Sequence, residues 1–218
     1  MAEPLRLGDT PVGTDAPPVL LAEIGTLFNQ DLDQARSMVR AIRDARAEDT
    51  GSPILLKGEV LHTAEICLDG DAVETYHSSA GGSRSERYRD LIERKVVSLD
   101  RYRAIFGLCP DLPFVLSVYD AAGADFAAAE GAVGLKVASS NITHVPLIRH
   151  VAGTGLPLIL DTGRSTLSEV TRAVDAARGA GCDQLLLEHS PDGHPALPQN
   201  HNLRLLQTLA RAFDAPVG

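Results

Sequence analysis

Cysteine is scarce and unpaired in this 218-residue chain. Cys67, Cys109 and Cys182 are odd in number, far apart and without a CxxC spacing, which excludes a disulfide framework and a zinc knuckle. Long apolar runs are absent too. Val19 to Ala22 and Leu185 to Leu187 fall far short of the roughly 20 residues of a membrane helix, so no membrane association is expected. The first residues lack the basic start and apolar stretch of a secretory leader, and a cytoplasmic location is the expectation. Basic runs are also lacking: 20 Lys and Arg stand against 29 Asp and Glu for a net charge of -9, a poor match for a line of phosphates, so nucleic acid is excluded as a partner. Lysine is as scarce as cysteine. Lys57, Lys95 and Lys136 are the only three in the chain.

What the sequence has is an alternation. Apolar runs of strand length (19–24, 53–60, 113–119, 132–138, 156–160 and 184–188) are separated by segments of helical period, the pattern of parallel strands joined by crossover helices. Leu32, Ala35, Val39 and Ile42 share one helical face behind Asp31 and Gln34, a plausible N-terminal cap. Thr166 and Glu169 form a capping-box pair before Leu167, Val170, Val174 and Ala177, and a last helix carries Leu203, Leu206, Ala210 and Phe213. Residues 61–97 are polar, with a helix expected over 84–94. Pro216-Val-Gly218 reads as the opening of a seventh strand. The pattern predicts an α/β fold: a TIM-type barrel with about six βα units, or an open doubly wound sheet. Residues 1–18 form an N-terminal extension and 19–218 the domain.

In either fold, ligands sit at the C-terminal ends of the strands. Those ends carry Glu23, Lys57 with Glu59, Ser117 with Tyr119 and Asp120, Lys136 with Ser139 and Asn141, Asp161 with Thr162, and His189 with Ser190. Their neighbours are Leu, Ile and Val, so each ionisable group needs a counter-charge or a ligand. Two lysines and several carboxylates at one rim point to a site for a small anion. The plainer alternatives are a structural Lys57–Glu59 ion pair and a His189 that merely satisfies the core. The remaining histidines, His62 among them, read as surface or loop residues.

Leu21-Ala-Glu-Ile-Gly25, Lys136-Val-Ala-Ser139 with Pro146-Leu147, Leu158-Ile-Leu-Asp-Thr-Gly163 and Phe213-Asp-Ala-Pro-Val-Gly218 resemble the sialic acid synthase family, in register over about residues 19–218. The resemblance implies a TIM barrel that condenses phosphoenolpyruvate with an N-acetylated hexosamine to a nonulosonic acid, releasing phosphate. It also implies a divalent metal, Mn2+ or Mg2+, and a homo-oligomer. It makes Glu23 the carboxylate that handles a proton beside the reacting carbon. Lys57 and Lys136 with Ser139 would hold the donor's phosphate and carboxylate, with Glu59, Asn141, Asp161 and His189 completing the substrate site.

The chain departs from the family pattern at several of these positions. The family's Lys-Phe-Gln is Lys57-Gly-Glu59, its Ser before Thr-Gly is Asp161, and its third-strand Thr is absent from Leu116-Ser-Val-Tyr-Asp120. Its Asn-His-Asn-Gly reads Leu27-Phe-Asn-Gln30, and its Ser-Asn-Tyr-Pro reads Asp192-Gly-His-Pro195. Glu59 and Asp161 add negative charge where a trianionic donor would sit, which raises the cost of binding it. No metal ligand is assigned in this chain. Two other readings stand beside the synthase: an aldolase forming a Schiff base on Lys136 or Lys57, and a non-catalytic barrel that binds a sugar or a partner.

Overall fold

The structure is a computed structural model that describes residues 5–13, 15–25, 28, 30–48, 51–67, 69–77, 82–191 and 197–218. Leu27, Asn29 and the Asp192-Gly-His-Pro195 segment lie outside the described residues.

Six parallel strands form the central sheet: β1 (Leu20–Gly25), β2 (Ile54–Val60), β3 (Phe114–Val118), β4 (Gly134–Val137), β5 (Leu158–Asp161) and β6 (Leu185–Glu188). They lie side by side in chain order, with no reversal. A doubly wound sheet turns back at a switch point; this one keeps advancing in one direction, as a barrel does. The fold is therefore of the α/β barrel type, an arc of six strands with no closure among the described residues. Val217 pairs in parallel with Leu187, backed by Gly218 N–H donating to the Leu187 carbonyl at 2.9 Å, so a seventh strand opens where the sequence places one.

Helices α1 (Leu32–Ala47), α2 (Tyr88–Glu93), α3 (Leu99–Phe106), α4 (Ala121–Ala129), α5 (Val145–Ala152), α6 (Leu167–Gly179) and α7 (Arg204–Phe213) fill the connections. Their start signals are local. Asp31 caps α1 by accepting from the Asp33 and Gln34 amides, and Thr166 and Glu169 form the reciprocal capping box of α6. The larger core, including Leu56, Leu116, Leu135, Leu160 and Leu187, lies between strands and helices.

Three elements differ from the sequence expectation. Residues 84–87 belong to an antiparallel hairpin, Val73–His77 with Ser83–Arg87, and only Tyr88–Glu93 is helical. Helix α4 is not visible as a period because Ala121–Ala129 consists of small and apolar residues apart from the single Asp125, with Gly123, Ala124, Phe126 and Ala127 buried. Helix α7 buries Leu209 and Phe213, while Leu203 stands 65% exposed.

The concave side of the arc is built in tiers. The lower inward tier is Leu21, Leu55, Val115, Gly134, Ile159 and Leu186, one residue per strand. Its side chains form a second apolar cluster with Leu5 and Leu7 of the Arg6–Leu7/Thr10–Pro11 hairpin. Gly134 has a steric reason: a Cβ there would lie 2.7 Å from Leu7 Cδ2. The hairpin thus seats Leu7 where the fourth strand offers no side chain, closing the barrel floor.

Candidate active site

Two residues further along each strand the inward side chains are Glu23, Lys57, Ser117, Lys136, Asp161 and Glu188. Because side chains alternate faces along a strand, the step from an apolar floor to a polar tier is the same on all six. Four buried polar side chains occur among the described residues, and Lys57, Ser117 and Asp161 are three of them. Buried polar groups need partners, and Lys57 and Asp161 find theirs within the tier, in Glu23 and Lys136.

Lys57 Nζ meets Glu23 Oε2 at 3.0 Å and donates to the Gly58 carbonyl at 2.8 Å. The Lys57 side chain is 6% exposed against 43% for Glu23. At the end of β1 the pairing register shifts between Glu23 and Gly25. Gly25 has φ +42°, and a Cβ there would come within 3.0 Å of Glu23 Oε1, so this turn around the carboxylate calls for glycine.

Lys136 Nζ lies 3.1 Å from Asp161 Oδ2 and is also paired with Glu188. Burial opposes the charged form of Lys136, but Glu188 and Asp161 together outweigh it and hold its pKa above the ordinary lysine value. Asp161 is itself anchored: Oδ1 accepts from Gly163 N–H at 3.0 Å and Oδ2 from Ser190 Oγ at 2.7 Å.

Glu59 stands one further step up β2. It accepts a hydrogen bond from the Tyr119 hydroxyl, and burial raises its pKa, with Lys57 opposing and Glu23 adding to the shift. Burial and the neighbouring Glu59 push the Tyr119 hydroxyl well above the usual phenol range. Lys57 pairs with Glu23, not with Glu59. Carboxylates outnumber ammonium groups in the tier and the step above it by four to two.

Ser139 and Asn141 sit on a single 3-10 turn after β4, with Asn141 Nδ2 donating to the Tyr119 carbonyl at 3.5 Å. His189 lies one residue past Glu188, and its Nε2 meets the His201 carbonyl at 2.9 Å. Two participants escaped the sequence reading. Glu188 is one; the two-residue step from Leu186 would have found it. The other is His62, whose Nε2 lies 2.9 Å from Asp120 Oδ2. Asp120 also caps α4 by accepting from Gly123 N–H at 2.7 Å.

No three His, Cys, Asp or Glu side chains are grouped to hold a metal ion among the described residues. Within the tier, Asp161 and Glu188 already share Lys136. The donor set described does not fit a divalent cation.

The family model described as "NeuB family" matches residues 57–218. The chain belongs to the NeuB family. It is similar to N,N'-diacetyllegionaminic acid synthase of Legionella pneumophila subsp. pneumophila, 30% identical over 97% of this chain and 59% of that protein. An uncharacterized protein of Methanocaldococcus jannaschii is 28% identical over 99% of this chain and 58% of its own length. This chain thus spans a little under three fifths of the length of these two curated relatives. Among solved structures, spore coat polysaccharide biosynthesis protein spsE of Bacillus subtilis aligns with a TM-score of 0.78 at 25% identity, over 99% of this chain and 56% of that one. The fold also matches N-acetylneuraminic acid (sialic acid) synthetase from Leptospira borgpetersenii serovar Hardjo-bovis, with a TM-score of 0.80 at 21% identity, over all of this chain and 70% of that one. The polar tier described above is therefore that of a NeuB barrel, and no described helix of it is long and apolar enough to cross a membrane.

Proposed function

We propose that this NeuB barrel takes part in a nonulosonic-acid-type condensation, joining phosphoenolpyruvate to an N-acetylated hexosamine with release of phosphate. The observation that carries the reading is the convergence of Glu23, Lys57 and Lys136 on one inward tier above an apolar floor, in a chain whose relatives include an N,N'-diacetyllegionaminic acid synthase.

In the proposed reaction, C3 of the donor forms a bond to the sugar's aldehyde carbon, and the aldehyde oxygen takes up a proton. Water adds at C2 of the donor, and the phosphate leaves. The chain's own residues position and stabilise charge, the contributions that dominate such reactions. Lys57 and Lys136, with Ser139, hold the donor's anionic groups. Glu23 is the more exposed partner of the Lys57 pair, so it is free to swing to the sugar and exchange a proton there. No residue of the described chain is assigned to Mn2+, which enters the assay as a reagent. The aldolase alternative loses support at Lys136: an imine-forming amine needs a lowered pKa, and the two carboxylates raise this one.

The test is phosphate release, with product mass, when the protein is incubated with phosphoenolpyruvate, N-acetylmannosamine and Mn2+. The reading predicts release that falls at least about a hundredfold in Glu23→Gln. No release by the folded protein with any N-acetylated hexosamine would refute it.

A further inference from the structure

We propose that Asp161 is a specificity-determining residue of the tier, a built-in counter-ion that a ligand's anionic group must compete with at Lys136. The inference rests on the anion-binding reading above and concerns how much negative charge the site accepts.

The two carboxylates on Lys136 are not equivalent. Asp161 is short and nearly buried, its side chain 8% exposed. Each of its oxygens has a donor besides Lys136: Gly163 N–H on Oδ1 and Ser190 Oγ on Oδ2. The turn that supplies Gly163 is itself tightly packed, since a Cβ on Gly163 would lie 3.1 Å from both Ser190 Cβ and the Ser190 carbonyl oxygen. Asp161 therefore cannot swing aside without breaking two hydrogen bonds and loosening the β5–β6 junction. Glu188 is one carbon longer and its side chain is 26% exposed, so it can turn toward water when a ligand arrives.

An anion approaching Lys136 thus meets an ammonium whose field is cancelled by a fixed negative charge about 3 Å behind it. The repulsion scales with the ligand's own charge, so the site tolerates a monoanion better than a trianion. At a separation of about 6 Å and an effective dielectric of about 20, one unit charge against another is worth about a hundredfold in affinity. Unlike a flexible surface carboxylate, Asp161 is too firmly anchored to relax that penalty by turning to water.

The test is calorimetric titration of the full chain with phosphoenolpyruvate and with pyruvate, comparing the wild type with Asp161→Asn. Asparagine keeps an oxygen for the Gly163 amide and removes the charge, while its amide nitrogen replaces the oxygen that faces Ser190 Oγ, a hydroxyl that can turn to accept. The expected result is a gain of about a hundredfold for singly charged pyruvate and a clearly larger one for the more highly charged phosphoenolpyruvate. A merely structural role would not grade the gain by ligand charge. Glu188→Gln makes the same charge change on the movable partner and should gain about tenfold; it carries the test should Asp161→Asn not fold. A change below threefold for phosphoenolpyruvate, or equal gains for the two probes, overturns the proposal while leaving the anion-binding reading in place. Failure of wild type and both variants to bind phosphoenolpyruvate at millimolar concentration overturns both.

Discussion

Removing either member of the Lys57–Glu23 pair should have unequal effects, and the inequality follows from burial. Glu23→Gln leaves an ammonium whose side chain is only 6% exposed, with the Gly58 carbonyl as its remaining close acceptor. Breaking a buried pair in this way costs about 3–5 kcal/mol. The lower end, about 3 kcal/mol, applies because Glu59 also acts on Lys57 from the next step of the strand. The converse change, Lys57→Met, leaves a carboxylate that is 43% exposed and can be hydrated, while a methionine fills the apolar part of the slot. That should cost about 1 kcal/mol or less. For a chain of this length each kcal/mol moves Tm by about 2–4 °C, so Glu23→Gln should lower it by about 6–12 °C. Urea unfolding of both variants and of the double variant at neutral pH measures this directly, and the double variant should recover most of the Glu23→Gln loss. If Lys57→Met proves the more damaging, or the double variant recovers nothing, the lysine is not held in place by Glu23 and the argument fails.

Three further outcomes follow from single contacts. Glu59 has a raised pKa, chiefly from burial, so the folded state favours its protonated form; that contribution is full below the ordinary glutamate pKa and is lost as pH rises through the raised value. Melting from pH 4 to 8 should therefore show Glu59→Gln gaining on the wild type as pH increases, and a constant difference would contradict the assignment. Leu7→Ala empties the space over Gly134 and should cost about 3 kcal/mol in urea unfolding; a loss under about 1 kcal/mol would mean the floor closes without it. Thr166→Ala removes one half of the α6 capping box and should cost about 1 kcal/mol by the same measurement, with no loss if the cap is idle.

The strands were legible because each is mostly apolar up to a polar residue near its C-terminal end, and residues 20–25, 54–60 and 185–188 lie within a residue of the expected limits. Their sequential order was not legible, since a barrel and a doubly wound sheet share one alternation; pairing of β1 with β2 through β6 in turn decided it. Helix α4 carried no period because Ala121–Ala129 lacks a polar face. The Ser83–Arg87 strand read as helix because its Arg, Ser and Glu residues are mostly exposed and leave no apolar alternation to mark a buried face. At the site, Glu23, Lys57, Lys136 and Asp161 stood out as charges closing apolar runs. Glu188 was passed over for its neighbour His189, and the His62–Asp120 contact spans 58 residues, a separation that no local pattern encodes.

The Leu7 seat ties together distant stretches of the chain. Arg6 N–H donates to Gln184 Oε1 at 3.0 Å, across a separation of 178 residues, while Leu7 itself faces Gly134. Contacts of such range are slow to form, so the stopper at the base can dock only after the fourth and sixth strands exist to receive it. An amino-terminal fusion or trimming that disturbs residues 5–12 would then leave an early, open-bottomed species on the folding route, with its greasy inner wall accessible to neighbours.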